Sequence, residues 1–274
     1  MHLRVALSGL ALFVAGYGHG MEPVSCSEPF EQQVHQAYTT EQGLPDNDTH
    51  RIACDATGKI VVLTAKGTAV RDGEAWAACA MEFPPAPRLE AGAMPRLREK
   101  AGHNCEARAV AEHGGEFAVA ADTGLYTGDG TEWRMELPRQ AGVRWAPVDV
   151  RAVAYDFDGR LWFASPQGVG CRIAPDDWRL FTGAEGLPFN DFTCMAAEPK
   201  GVWFGTSNGA IQFRDGKWAF RQGGRWLLDN HVRDIAVDSD GNAWFATSKG
   251  VSRIVGAPMT LARKAQYFED EIAK

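Results

Sequence analysis

The chain has 274 residues, 45% of them hydrophobic, and a formal net charge of −7 at pH 7. This length allows one domain or two, and the acidic balance argues against a general nucleic-acid binder, because phosphate contacts need clustered lysine and arginine. The sequence contains neither a block of basic residues nor a zinc-type spacing of cysteine and histidine.

The first 20 residues predict an export signal. His2 and Arg4 precede an apolar run from Val5 to Ala15, and small residues at Gly18 and Gly20 provide a cleavage site before Met21. The run is short for a membrane span, and a buried or anchoring helix is the alternative. We therefore expect a secreted or periplasmic protein with no membrane span after signal removal. Residues 21–33 then form a lead-in.

Six cysteines in an exported chain raise the possibility of disulfides. Cys79 and Cys105 bracket the long irregular segment 81–104 and are the first pair to test. The other four lie on or beside predicted strands, where a free buried thiol is as plausible as a bridge; they are Cys26, Cys54, Cys171 and Cys194. The spacing leaves the connectivity open.

One phrase recurs along the chain from the first predicted strands onward. It consists of an Asp/Gly turn, a strand carrying a Trp-Phe pair, and a second turn that ends in glycine. In its three clear copies the tryptophans and the closing glycines each recur at a step of 41 residues, at Trp162, Trp203 and Trp244 and at Gly168, Gly209 and Gly250. Two weaker copies precede them, with Val61 and Ala118 in the tryptophan position. An all-strand repeat of about 40–50 residues is typical of a propeller blade with four strands.

The two ends of the repeat region predict how the ring closes. The segment His35–Thr39 precedes a Gly-Leu-Pro loop as Trp178–Thr182 precedes the second such loop, so it resembles a fourth strand without a blade. The last repeat has no fourth strand after Ile254. Joining the two removes an open sheet edge. The sequence therefore predicts an all-β, five-bladed propeller of four-stranded blades over residues 34–255, with the N-terminal strand in the last blade.

Residues 256–274 are predicted to leave the strand pattern at Gly256 and to form a short helix. Thr260 is a suitable N-cap, and one helical face carries apolar side chains at Leu261, Ala265, Phe268 and Ile272. A helix packed on the propeller rim and the first helix of a further domain both remain open.

The lead-in loops carry a family resemblance. The phrase Tyr-Thr-x-x-x-Gly-Leu-Pro-x-Asn spans Tyr38–Asn47 and recurs with phenylalanine first at Phe181–Asn190. Together with Asp-x-x-Gly-x-x-Trp-Phe-x-Thr-x-x-Gly, it resembles the two-component regulator propeller repeat over roughly residues 34–254. The resemblance implies an extracytoplasmic sensor or binding module, often one that senses glycans.

The most conspicuous residues of the repeat are predicted to be structural. Alternation along a strand places one member of each Trp-Phe pair on either face of its blade, against a neighbouring blade. The Asp-x-Asp-Gly turns at Asp156–Gly159 and Asp238–Gly241 lack the further oxygen ligands and the downstream acid of a calcium loop. We interpret them as hairpin turns and predict neither a metal nor a cofactor.

Loops that cross between blades surround the mouth of the central channel, and we expect the ligand site there. Aromatic side chains with Asn, Asp and Arg nearby suit stacking on sugar rings and polar contacts to hydroxyls. Alternatively, Phe189 and Trp226 only fix their loops to the blade. The candidate ligand-binding residues are Trp145, Phe189, Asn190, Asp191, Arg225, Trp226, Asn230 and His231.

Three functions remain open at this point. The first is a binding or sensing module for a carbohydrate-like or peptide ligand at the channel mouth. The second is a propeller lyase or hydrolase, in which His50 or His231 would act as a general base with Asp48 or Asp191 nearby. The third is an interaction scaffold with a protein partner, or the N-terminal module of a larger secreted protein.

Overall fold

The structure is a computed structural model that describes residues 28–85, 89–90, 92–102 and 104–272. The predicted export signal and Cys26 lie outside the described residues. The chain divides into a larger unit, Gln33–Ala257, and a smaller unit, Met1–Gln32 with Pro258–Lys274.

The larger unit is a five-bladed β-propeller, as the sequence predicts, and the chain enters it through β1 (Phe30–Tyr38). The first blade contains β2 (Thr49–Cys54), β3 (Ile60–Thr64), β4 (Gly67–Asp72) and β5 (Ala75–Cys79). After helix α1 (Ala93–Ala101), the second blade contains β6 (Ala107–His113), β7 (Glu116–Ala121), β8 (Gly124–Gly128) and β9 (Trp133–Met135).

A small hairpin, β10 (Arg139–Gln140) with β11 (Val143–Arg144), precedes the third blade. That blade contains β12 (Ala152–Tyr155), β13 (Leu161–Ser165), β14 (Gly168–Ala174) and β15 (Asp177–Phe181). The fourth contains β16 (Phe192–Glu198), β17 (Gly201–Thr206), β18 (Gly209–Arg214) and β19 (Lys217–Arg221). The fifth begins with β20 (Asp234–Val237), β21 (Ala243–Thr247) and β22 (Gly250–Met259).

The fifth blade closes the ring with a strand from the other end of the propeller. Its strand order is β1-β22-β21-β20, so β1 supplies the outer strand that the last repeat lacks. This confirms the predicted closure. Strand β22 continues to Met259, through Gly256 and Pro258, where the sequence pattern suggested a break.

The Trp-Phe pairs form the contacts between blades, as predicted. Trp162 packs in one apolar cluster with Phe204 of the fourth blade, whereas Phe163 packs in another with Leu125 of the second. Trp203 meets Phe245 of the fifth blade edge-to-face, with ring centroids 5.2 Å apart. Successive residues of one strand therefore join a blade to both of its neighbours.

In the three clear repeats, the acid of the turn accepts a side-chain hydrogen bond from the tryptophan that follows it. Trp162 Nε1 donates to Asp156 Oδ2 at 2.8 Å, and Trp244 Nε1 donates to Asp238 Oδ2 at 2.9 Å. In the fourth blade Glu198 takes the same role for Trp203, at 3.0 Å. The acid of the turn thus also satisfies a buried indole donor, which would otherwise cost free energy.

The segment between the first and second blades includes a helix that the sequence pattern does not predict. It contains α1, whose Leu97 is fully buried in a cluster with Tyr126 and Trp133 of the second blade. Cys105 joins this cluster and accepts a hydrogen bond from the Thr123 hydroxyl at 3.4 Å.

Cys79 and Cys105, the first pair to test for a disulfide, are not bridged in the structure. Both residues are free thiols, because Cys105 is turned into the cluster beneath α1 while Cys79 ends β5 in the first blade. The other described cysteines, Cys54, Cys171 and Cys194, are also free thiols.

In the smaller unit, α2 (Leu261–Ile272) confirms the predicted C-terminal helix. The Thr260 hydroxyl accepts the Arg263 amide at 3.2 Å, so Thr260 is the N-cap. Lys264 Nζ lies 5.5 Å from the centroid of the Phe30 ring. Within the described residues, neither this helix nor α1 is long and apolar enough to cross a membrane.

Candidate functional site

The innermost strands of the blades surround a central channel that contains a cavity of about 720 Å³. These strands are β2, β6, β12, β16 and β20, and each of the last three lies beside the first strand of the preceding blade. The cavity wall combines apolar side chains, among them Ile52, Val153 and Met195, with polar and charged ones. Charged side chains gather where the strands begin, which is the mouth of the channel.

The residues at the start of the innermost strands supply much of this charge, and in three of these strands one residue is extra to the pairing register. The pairing register shifts at the start of β2, β6 and β16, and such bulges re-aim a side chain. Arg151 and Arg233 take the equivalent place in the third and fifth blades, where their amides donate to Ala164 and Ala246. We call this set the mouth ring: His50, Arg108, Arg151, Thr193 and Arg233.

Four members of the mouth ring reach across to the next blade. Arg108 Nη1 lies 2.5 Å from Asp149 Oδ1 of the third blade, and Arg151 binds both Asp149 and, across the junction, Asp191. Thr193 donates to the Val232 carbonyl at 2.7 Å. Arg233 closes the series with a 2.6 Å hydrogen bond to Asp48 Oδ1 of the first blade.

The junction between the first and second blades is built differently. His50 turns to Asp48 of its own blade, with 3.6 Å between Nε2 and Oδ2, and its Nδ1 lies 3.4 Å from Arg233 Nη1. The chain between β5 and α1 contacts this junction. The Arg51 guanidinium carbon lies 4.7 Å from the Phe83 ring centroid, and Pro84 lines the cavity. The inserted segment therefore contributes to the channel wall.

The mouth carboxylates differ in how their charge is stabilised. The Ser207 hydroxyl, 2.5 Å from Asp191 Oδ2, and the Arg151 guanidinium hold the pKa of Asp191 below its usual value. Asp149 binds its two arginines from a backbone with φ of +52°, a conformation uncommon outside glycine, asparagine and aspartate. Burial instead raises the pKa of Asp234, which lies deeper in the wall.

Of the acid and histidine residues named from the sequence, Asp48, His50 and Asp191 lie in this network at the mouth. His231 is exposed and lies two residues before Arg233 of the mouth ring; in its protonated form it helps to lower the pKa of Asp191. The His231 amide donates to Asp229 Oδ1 at 3.2 Å.

The named asparagines shape the lead-in loops. Asn230 Oδ1 accepts the Gly223 amide at 2.7 Å, and Asn47 accepts the Thr40 amide at 2.8 Å in the same way. Asn190 Nδ2 instead donates to the Pro166 carbonyl at 2.6 Å.

The named aromatic residues are half-buried against their own loops and blades. Trp145 meets Phe163 edge-to-face with centroids 6.3 Å apart, and Phe189 stacks on Phe220 at 6.5 Å. The guanidinium carbons of Arg221 and Arg225 lie 4.6 and 5.1 Å from the Trp226 ring centroid. These contacts fix the loops and leave part of each ring accessible.

The residues that the sequence did not single out are the arginines and their partners: Arg51, Arg108, Arg151, Arg233, Asp149 and Asp234. A signal for them exists, because an arginine occurs at or next to the start of the first strand in four of the five repeats. Alignment of those strand starts would have revealed it. Among the residues that the structure describes, no group of three or more His, Cys, Asp or Glu side chains is placed to hold a metal ion.

Comparison with known proteins identifies the repeat. Residues 227–249 match the family described as two component regulator propeller, a stretch that includes the Asp238 turn and Trp244 of the fifth blade. This confirms that the chain carries the repeat. No curated protein matches the chain.

Solved structures that resemble this chain include several kinds of protein. The extracellular domain of a protein described as a hybrid two component system from B. thetaiotaomicron is 17% identical, with a TM-score of 0.47, and the match covers 84% of this chain and 37% of that one. Streptogramin B lyase is 12% identical with a TM-score of 0.48, covering 86% of this chain and 100% of that one. The PQQ-bound aldose sugar dehydrogenase of Streptomyces coelicolor is 11% identical with a TM-score of 0.46, covering 84% and 100%.

Proposed function

We propose that this chain, which carries a two component regulator propeller repeat, is a secreted or periplasmic binding or sensing module. Its ligand enters the mouth of the propeller channel and is carbohydrate-like, with a peptide as the competing ligand class. The proposal concerns the propeller of residues 33–257.

The observation that carries the proposal is the mouth network above the 720 Å³ cavity. Guanidinium groups donate hydrogen bonds and carboxylates accept them. A sugar hydroxyl does both, so alternating Arg108, Asp149, Arg151 and Asp191 present matching partners to a chain of hydroxyls. The cavity is also of ordinary ligand-site size, within the range of about 300–1,000 Å³.

Aromatic rings at the same end of the propeller complement these polar groups. Trp145, Phe189 and Trp226 are held by contacts with Phe163, Phe220 and Arg221. Rings fixed in this way can stack on a sugar face without losing much side-chain freedom.

The test is a binding screen of the folded full chain against a glycan array and a random peptide library, followed by calorimetry of the hits. Asp191→Asn keeps the size of the side chain and removes the charge that faces Arg151, so we expect at least about tenfold weaker binding. The matched control is Asp240→Asn, in an exposed turn of the fifth blade.

If no glycan and no peptide binds, or if Asp191→Asn binds as well as the wild type, the proposed function is wrong. Peptide hits alone would replace the carbohydrate ligand with a peptide. Release of a new product from a glycan hit would support the lyase or hydrolase alternative.

A further inference from the structure

The wall of the channel cavity is cationic, although the chain as a whole is acidic. Four arginines line the cavity, against a single acid, Asp234. They are Arg51, Arg108, Arg151 and Arg233. They extend from four strand starts into one cavity. Because the chain has a net charge of −7, the positive charge of this cavity is opposite in sign to that of the whole protein.

Asp234 does little to neutralise this charge. Its Oδ2 accepts the Ile52 amide and its Oδ1 accepts the Ile235 amide, each at 3.0 Å. The nearest guanidinium atom, Arg51 Nε, lies 3.9 Å from Oδ2. The carboxyl group is therefore used to join the first and fifth blades, and burial raises its pKa.

The carboxylates of Asp48, Asp149 and Asp191 accept hydrogen bonds from only some of the N–H groups of the cavity arginines. A guanidinium has five N–H groups. Among the described contacts, Arg108 meets Asp149 through Nη1, and Arg233 meets Asp48, Thr49 and His50 through Nη1. Arg151 differs, since Nε and Nη2 hold Asp149 while Nη1 holds Asp191.

Among the four cavity arginines, Arg51 makes the longest described ion pair. Its side chain is 45% exposed, its contact with Asp234 is at the long limit of an ion pair, and its guanidinium rests over Phe83. The remaining donors of Arg51, Arg108 and Arg233 all belong to side chains that line one cavity. Paired N–H groups of a guanidinium match the two oxygens of a carboxylate.

We propose that the ligand of this channel carries a carboxylate, and that it is a uronate-bearing oligosaccharide rather than a neutral one. Arg51, Arg108 and Arg233 hold the carboxylate, while Arg151 fixes the positions of Asp149 and Asp191 at the mouth. This inference rests on the proposed function and adds the charge of the ligand to it.

The experiment compares acidic and neutral ligands of the same length. Calorimetry of the full chain uses oligosaccharides of glucuronate, galacturonate and mannuronate, each beside its carboxyl-reduced neutral counterpart. We expect one acidic series to bind at least about tenfold more tightly than its counterpart. The preference should shrink as salt is raised, because ions screen exposed charge pairs.

Arg51→Gln is the informative variant, because Arg51 takes no part in the mouth ring and its loss should leave the fold intact. We expect it to lower the affinity for the acidic ligand about tenfold and to leave the neutral counterpart unchanged. Arg98→Gln, on the exposed face of α1, is the matched control and should alter neither.

The outcomes separate the two proposals. Equal binding of acidic and neutral oligosaccharides, or loss of both in Arg51→Gln, overturns the carboxylate inference and leaves the binding function standing. Binding of acidic peptides without any oligosaccharide overturns the choice of a sugar. No binding of any ligand overturns both proposals.

Discussion

Asp234 and Asp238 stand four residues apart in the fifth blade, yet their surroundings shift their pKa values in opposite directions. Burial raises the pKa of Asp234 because two backbone amides and a distant arginine do not offset the loss of water. Burial also opposes the charge of Asp238. There, hydrogen bonds from the Trp244 indole and from Asn242, with the Arg253 guanidinium, outweigh it and lower the pKa.

These shifts predict opposite pH dependences for two substitutions. The stabilisation from Asp234 is complete below its unfolded pKa of 3.8 and is lost as pH rises through its raised folded pKa. The stabilisation from Asp238 is present above 3.8 and is lost as pH falls through its lowered folded pKa. Asn does not titrate, so the cost of Asp234→Asn should shrink from about pH 3 to pH 7, while the cost of Asp238→Asn should grow.

Urea unfolding of the wild type and both variants at several pH values measures these costs as differences in the free energy of unfolding. The two variants control for each other, because they share a blade and make the same chemical change. Costs that move in the same direction with pH would contradict the prediction.

The turn that opens each clear repeat illustrates the scale of single elements. Asp156 Oδ1 accepts the amides of Asp158 and Arg160, at 3.0 and 2.9 Å, while Oδ2 accepts the Trp162 indole and Arg160 Nε. In the first blade Asp55 makes the same backbone bonds, to Thr57 and Lys59. Valine replaces the tryptophan there, so no indole reaches Asp55.

We therefore expect Asp156→Ala to cost about 3 kcal/mol of unfolding free energy, because it removes the turn bonds and leaves a buried indole donor unpaired. The matched change Asp55→Ala should cost less. Urea denaturation of both variants gives the comparison, and equal losses would show that the bond between turn and tryptophan adds nothing.

Much of this element-scale structure could be predicted from the sequence. The equal spacing of Trp162, Trp203 and Trp244 predicts that all three are buried in equivalent positions, and Asp156 with Gly159 predicts a turn. The hydrogen bond between the aspartate of the turn and the tryptophan indole could not be predicted, because a turn accounts for the aspartate and burial accounts for the tryptophan without it. Helix α1 was missed because its nine residues carry a proline at Pro95 and little apolar periodicity beyond Leu97.

The directions in which the mouth-ring side chains point could not be predicted, for a different reason. A bulge adds one residue to a strand and so reverses which face the following side chains occupy. Period-two alternation therefore says nothing reliable about where His50, Arg108 or Thr193 point. The partners of Arg108 and Thr193, Asp149 and Val232, belong to the next blade, about one repeat away in sequence, whereas His50 contacts Asp48 of its own blade.

At the scale of the whole molecule, the ring is closed by β1, which pairs with β22 but is not joined to it by a hairpin turn. Tyr38 at the end of β1 stacks on Trp244, with centroids 5.5 Å apart and planes at 30°. Phe181 at the end of β15 stacks on Trp162 in the same way, at 6.0 Å and 7°. Both residues lead into a short helical turn capped by threonine, at Thr39 and Thr182. Strand β15 is joined by a turn to its partner β14, whereas β1 has no such connection to its partner β22.

Tyr38→Ala and Phe181→Ala should therefore destabilise the protein by similar amounts, about 3–5 kcal/mol each, but expose different amides. In Tyr38→Ala, β1 can detach as a unit, so hydrogen exchange in β22 should accelerate more than exchange elsewhere. In Phe181→Ala, the hairpin holds β15 beside β14. Exchange mass spectrometry of the two variants measures this, and equal acceleration at β22 and β14 would contradict it.

The shared fifth sheet also sets an order for synthesis. Strand β1 leaves the ribosome before any blade, but its partner β22 is made after all four preceding blades, so β1 must wait unpaired. An unpaired strand is a site for wrong pairing and aggregation. The composition of β1 suits the delay, because Glu31 places a charge in a segment with few apolar residues between positions 31 and 36, and charge with low hydrophobicity opposes aggregation. The residues that make β1 a poor strand in isolation are thus the ones that keep it available until the ring is ready to close.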